Sequence, residues 1–214
     1  GLLSEESVDT DQRLSKNRVW MIDPLDGTSG FIEGNGDFAV QIGLVIEGQV
    51  VLGVVYQPCS DICHWAVRGN GTWRSENGGM PIREFTSSET DQNSLRLAAT
   101  RSHRGKAMSR IVEALGYKEI ARGSVGVKIS LLVDRLCDLY IHPFSRTKQW
   151  DTCAPEAILR EAGGSISDCY GQPLLYNTVD VTHRNGILAS NGSAHDIVLK
   201  RLAPLMSELG LNRR

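Results

Sequence analysis

Apolar positions in the first part of the chain fall in short runs separated by glycine-bearing turns, at 19–23, 38–46, 50–56 and 62–67. Runs of this length rich in Val and Ile are strand-like. Glu47-Gly48-Gln49, between two of them, is a hairpin signal, so this stretch is expected to form a mainly antiparallel sheet. A tract of Ser, Thr and Asp at 86–93 interrupts the pattern. It marks the expected boundary between an antiparallel-sheet half, 1–93, and an α/β half, 94–214. Beyond it, strand-like runs at 95–99 and 138–142 alternate with helical periodicity at 105–115, 127–134 and 151–162, the pattern of sheet and helices in layers. Residues 194–209 read as an amphipathic closing helix that Pro204 kinks or divides.

Composition adds limits. The 214 residues are 41% hydrophobic and 22% charged, enough for a sizeable core. Lys and Arg number 23 against 25 Asp and Glu, and a net charge of -2 gives no electrostatic footprint for duplex nucleic acid or an anionic membrane. Any phosphate recognition is therefore local. No run approaches the roughly 18 apolar residues of a membrane span, and Gly1-Leu2-Leu3-Ser4-Glu5-Glu6 lacks the plan of a signal peptide. The expectation is a soluble, cytoplasmic protein. Five cysteines at irregular spacing fit a reducing compartment, and Cys59, Cys63 and His64 lack the second ligand pair of a zinc finger.

The segment Trp20-Met21-Ile22-Asp23-Pro24-Leu25-Asp26-Gly27-Thr28 closes a hydrophobic run with two carboxylates three apart. Pro24 fixes its own φ and restricts Asp23 before it, so that Asp23, the Leu25 carbonyl and Asp26 can converge on one point instead of alternating across the strand. Hard oxygen donors of this kind suit magnesium, and a helix start after Gly27 would offer free N–H groups to a phosphate. Asp, Pro and Gly also build ordinary turns, so this segment alone leaves turn and metal site open. A second segment, Trp150-Asp151-Thr152-Cys153-Ala154-Pro155-Glu156-Ala157-Ile158-Leu159-Arg160-Glu161-Ala162-Gly163-Gly164, reads as a helix capped by Asp151 or Thr152 and ending before Gly163. Asp151 is then either a plain cap or a third carboxylate facing the first two.

Together the two segments resemble the paired signature of the inositol monophosphatase superfamily of lithium-sensitive phosphatases, and Leu3-Ser4-Glu5-Glu6-Ser7 resembles the Glu-Glu element that precedes them. The resemblance implies an α+β fold, the layered α-β-α-β-α sandwich of that superfamily, with the active site between the two halves. It implies magnesium, two or three ions, held by Glu5, Asp23, the Leu25 carbonyl, Asp26 and Asp151. Thr28 would orient the attacking water and Glu5 would help activate it, with Asp23 beside them. Relatives carry an N-terminal helical region ahead of the Glu-Glu element, which the sequence as given begins at, so that region is expected to be missing. A homodimer is a further implication of the resemblance.

Within the superfamily, Thr100-Arg101-Ser102-His103 resembles an element of the 3'(2'),5'-bisphosphate nucleotidases. That branch implies removal of the 3'-phosphate of adenosine 3',5'-bisphosphate, a role in sulfate assimilation, and a small phosphate ester as partner. Arg101 and His103 would receive a second phosphate, Arg through paired donors. On residue type alone they equally suit a solvated loop. Ser124 and Lys128 open a helix where an anion can sit, or form an ordinary Ser cap with an exposed lysine. Gly27, Thr28, Asp151 and His142 complete the expected substrate wall, while Trp20, Trp65 and Trp73 are assigned to core or turn packing. The alternatives are an inositol or fructose-1,6-bisphosphate phosphatase using the same metal core, and a non-catalytic fragment or interaction subunit.

Overall fold

A computed structural model describes residues 1–101, 105–211 and 213. Seven strands, β1 (Leu2–Ser4), β2 (Arg18–Asp26), β3 (Ala39–Ile46), β4 (Gln49–Gln57), β5 (Ile62–Val67), β6 (Thr72–Glu76) and β7 (Ile82–Glu84), form one sheet in sequence order. All its pairs are antiparallel except β1 with β2, which run parallel. The β3–β4 hairpin turns through Glu47 and Gly48, both at positive φ, as a tight two-residue turn requires. The expected strands all form; the periodicity of the sequence missed the short strands β1, β6 and β7 because three to five residues give no readable alternation.

A second sheet of five strands takes the order β11 (Ser165–Ser167), β12 (Ile187–Ser190), β10 (Leu139–His142), β8 (Arg96–Thr100), β9 (Lys118–Arg122). Helices α3 (Val125–Val133) and α4 (Gln149–Glu161) lie between the sheets: α4 packs on β2 to β5, α3 packs on α4 and on β8 and β10. Helices α2 (Lys106–Leu115) and α5 (His195–Glu208) pack together on the outer side of the second sheet. The architecture is thus an α+β stack of sheet, helices, sheet and helices. The face of the seven-stranded sheet turned away from α4 carries half-exposed side chains, and Trp20 on it, within β2, is 42% exposed, against the expectation of core or turn packing.

α2 shows why the layers form. Its buried residues Met108, Ile111, Val112 and Leu115 repeat at helical spacing and face the second sheet. Each such side chain contributes about 1.5–3 kcal/mol on burial. α4 is buried on nearly all sides and fits closely against its sheet: a Cβ on Gly53 would stand 2.3 Å from the Ala154 carbonyl oxygen, so only glycine lets the helix seat there. Pro204 lies inside α5 without dividing it, which corrects one branch of the expectation: the helix runs unbroken from His195 to Glu208. All five cysteines are free thiols.

Candidate active site

β2 carries the first acidic pair, and its ladder with β3 breaks between Asp23 and Asp26. Pro24 has no N–H to donate, so the strand bulges there and the pleat slips by one residue. Asp23 and Asp26 therefore both turn inward, at 1% and 8% exposure, although a regular strand would send residues three apart to opposite faces. Asp23 Oδ1 accepts the Leu25 N–H at 2.9 Å, and the Thr28 hydroxyl donates to the Leu25 carbonyl at 3.3 Å. The chain then turns through Gly27 at φ 96° into the short helix α1 (Thr28–Ile32); a Cβ at Gly27 would lie 2.5 Å from the Asp37 carbonyl oxygen.

Asp26 is the best-anchored of the acids. Its Oδ2 accepts the Ser124 hydroxyl at 2.5 Å, the Gly126 N–H at 2.8 Å and the Gln41 amide. Ser124 also accepts the Val127 N–H at 3.1 Å, so one hydroxyl caps α3 and ties it to Asp26 across 98 residues of sequence. Lys128 on α3 is buried, against the alternative of an exposed lysine; its Nζ lies 4.7 Å from the centre of the Tyr140 ring. Burial pulls Lys128 down to about 8, opposed by the negative charges of Asp26, Asp37 and Asp151. At the start of α4, Asp151 is not the cap. Lys148 is, and Asp151 in the first turn accepts the Lys148 N–H at 2.7 Å.

These acids feel one another. Burial, then the charges of Asp26 and Glu5, push Asp23 up to about 7. Asp26 is raised by burial against its hydrogen bonds, and Asp151 is raised by burial and by Asp26, Asp23 and Glu5. Among the described residues no three His, Cys, Asp or Glu side chains stand close enough together to hold an ion as they are. The carboxylates are electrostatic neighbours, each tethered to local donors. Hard oxygens of this kind suit a divalent cation such as magnesium, and Glu5, Asp23, the Leu25 carbonyl, Asp26 and Asp151 are the groups that could hold one after the side chains draw together.

A cleft of about 300 Å³ opens beside this floor, lined among others by Gly27, Thr28, Asp37, Arg101, Ser124 and Lys128. The expected substrate residues Gly27, Thr28, Arg101, Ser124 and Lys128 are thus brought together, and Thr100 joins them. His103 lies outside the described residues. His142 does not line the cleft; it is largely buried between Tyr140 and Phe144, with no partner for Nε2 among the described residues and its pKa lowered to about 4 by burial. Asp37 and Gln41 were missed by sequence reasoning. Their partners stand at 123, 101 and 26, and no local pattern announces them. A larger cavity of about 450 Å³ lies at the other end of α4, but its Glu156 and Arg160 already pair at 2.7 Å and leave little unmatched charge to read a phosphate.

The model of the inositol monophosphatase family matches residues 1–207. A protein named 3'(2'),5'-bisphosphate nucleotidase CysQ, from Aggregatibacter actinomycetemcomitans, is 37% identical over 179 residues, covering 82% of this chain and 66% of that relative. The chain thus spans just under two thirds of that curated relative's length. Among solved structures, CysQ from Bacteroides thetaiotaomicron superposes with a TM-score of 0.79 at 29% identity, over 89% of this chain and 76% of that one. Inositol monophosphatase II from Staphylococcus aureus MSSA476 superposes with a TM-score of 0.83 at 26% identity, over 99% of this chain and 79% of that one.

Proposed function

The chain belongs to the inositol monophosphatase family, and from that premise we propose that it is a magnesium-dependent phosphomonoesterase that removes the 3'-phosphate of adenosine 3',5'-bisphosphate. One observation carries the reading: Arg101, Lys128 and the Gly27-Thr28 step line one cleft, and the acids stand behind it, Asp26 bonded to the cleft-lining Ser124 and Asp151 acting on the charge of Lys128. A floor short of positive charge beside a wall that attracts anions is suited to a phosphate ester. The resemblance of the relative named bisphosphate nucleotidase favours the nucleotide.

Ions bound by Glu5, Asp23, the Leu25 carbonyl, Asp26 and Asp151 would neutralise phosphate oxygens and acidify a water. The protein's own groups do the rest. Thr28, whose hydroxyl is aligned on the Leu25 carbonyl, orients the attacking water, and Glu5 accepts its proton. Ser124, the N-terminus of α3 and Lys128 hold the nucleotide phosphate side, and Arg101 receives the second phosphate at the rim. No covalent intermediate with the protein is required, because water is the nucleophile. Inhibition by lithium and a place in sulfate assimilation in the cytoplasm belong to the same proposal. No described helix is long and apolar enough to cross a membrane.

The test is phosphate release from adenosine 3',5'-bisphosphate, inositol 1-phosphate and fructose 1,6-bisphosphate with magnesium, with and without lithium, in wild type and Asp23→Asn. Nucleotide turnover that lithium suppresses and Asp23→Asn abolishes is the expected result. A preference for inositol 1-phosphate or fructose 1,6-bisphosphate would overturn the nucleotide assignment while keeping the phosphatase; release from none would overturn both.

A further inference from the structure

Asp37 sits in the loop between α1 and β3 and is 5% exposed. Its Oδ2 accepts the Gly123 N–H at 2.8 Å and pairs with Arg101 Nε at 3.0 Å; its Oδ1 faces Arg122 Nε at 3.7 Å. Arg101, which lines the cleft, follows β8, and Arg122 ends the neighbouring parallel strand β9. One carboxylate from the first sheet's loop thus holds two guanidinium groups from the second sheet. Both arginines also donate to the Ala121 carbonyl, Arg101 Nη2 at 3.3 Å and Arg122 Nη1 at 2.9 Å, so the pair is fixed at two points. The Asp37 N–H is itself tied to Asn35 Oδ1 at 2.9 Å, and its carbonyl packs against Gly27, so the post is rigid.

Two cations side by side repel, and each long side chain loses rotamer freedom when it binds an anion. A shared carboxylate relieves the repulsion and takes that entropy loss in advance. We propose that Asp37 is the positioning residue that sets Arg101 and Arg122 as a paired guanidinium clamp for the second phosphate of the substrate, and thereby selects a bisphosphate over a monophosphate. This rests on the nucleotide reading above. Arg122 is a member of the clamp that neither the motif nor the cleft lining alone assigns. Asp37 itself touches no reacting atom; it acts through the arginines.

The experiment compares wild type, Asp37→Asn, Asp37→Glu and Arg122→Gln on adenosine 3',5'-bisphosphate and on adenosine 3'-monophosphate, which lacks the 5'-phosphate. Losing a charge-assisted contact predicts that Asp37→Asn and Arg122→Gln raise KM for the bisphosphate about tenfold with kcat within about twofold, leave KM for the monophosphate unchanged, and that Asp37→Glu recovers most of the loss. Equal change on both substrates, or a loss confined to kcat, overturns the clamp and leaves Asp37 a structural bridge between the sheets. Calorimetric binding of adenosine 5'-monophosphate reads the same contact without turnover: about tenfold weaker binding by Asp37→Asn supports the clamp, and unchanged binding overturns it. Wild type that neither hydrolyses nor binds either nucleotide overturns the functional reading first, and the clamp falls with it.

Discussion

Two sets of buried carboxylates behave in opposite ways in this protein. Asp138, fully buried at the start of β10, accepts the Arg96 N–H at 2.9 Å, Arg96 Nε at 2.8 Å, Arg96 Nη2 at 3.0 Å and the Ser87 hydroxyl at 2.5 Å. Those bonds outweigh its burial and hold it below the usual carboxylate range. Asp23, Asp26 and Asp151 have hydrogen bonds too, yet burial holds all three above that range, with repulsion by neighbouring acids adding to it at Asp23 and Asp151. The difference is a guanidinium. A buried acid bonded to its own guanidinium serves the fold, whereas this group, with one desolvated lysine against three acids, keeps excess negative charge at a cost in stability.

The largest effect that would break this contrast is on turnover. Asp151→Asn should lower kcat about a thousandfold, because several kcal/mol of charge stabilisation are lost and each 1.36 kcal/mol is tenfold. With magnesium chelated, the same change should leave Tm equal or higher, since it removes repulsion; a lower Tm would make Asp151 a structural acid like Asp138.

The next effect is in pH. His183, buried against Thr152 at 2.7 Å, has its pKa lowered to about 4 by burial. A histidine kept neutral in the fold binds fewer protons than the unfolded chain. Its contribution is complete above about pH 6.5 and is lost as pH falls from there towards 4, on the order of 3 kcal/mol. Asp138, with a lowered pKa, contributes fully above its unfolded value and loses that contribution as pH falls through its folded one. Because the raised acids Asp23 and Asp151 gain stability over the same range, the histidine limb is read as the difference in urea unfolding between wild type and His183→Gln from pH 8 to 3; a difference that stays constant between 6.5 and 4 would refute the neutral histidine.

Asp138→Asn should follow, costing about 2 kcal/mol in urea unfolding while kcat stays within twofold, since it weakens charge-assisted bonds far from the cleft. A large loss of kcat would merge the two sets. Smallest is the exposed pair of Arg110 and Glu208 at 3.0 Å, which joins α2 to α5. Arg110→Gln should change stability by less than about 1 kcal/mol and less still at high salt, as solvent-exposed ion pairs do.

The legible parts of this molecule were those written into neighbouring residues. Asp-Pro-Leu-Asp announced a break in alternation because proline acts on its own backbone, and the bulge at 23–26 is that break made solid. α2 was legible from a four-residue apolar stripe, and the 47–48 turn from a glycine. The cap of α4, expected at Asp151 or Thr152, lies at Lys148 instead, because Asp151 suits a cap and a first-turn carboxylate equally well and only the Lys148 N–H decides between them. Residue type left Lys128 open between an anion-binding group and an exposed lysine, and burial of the helix it sits on removes the second.

The sequence by itself determined the layered α+β class and the break in the strand at 23–26, since each depends on backbone preferences and periodicities a few residues long, while the acid ligand candidates came from the family resemblance. Only the tertiary structure decided that Ser124 and Gln41 anchor Asp26, that Asp37 holds Arg101 and Arg122, and that the buried acids repel instead of pairing. Hydrogen bonds and charge interactions act through a few ångströms of space, and the distance along the chain between their partners leaves no local trace of them.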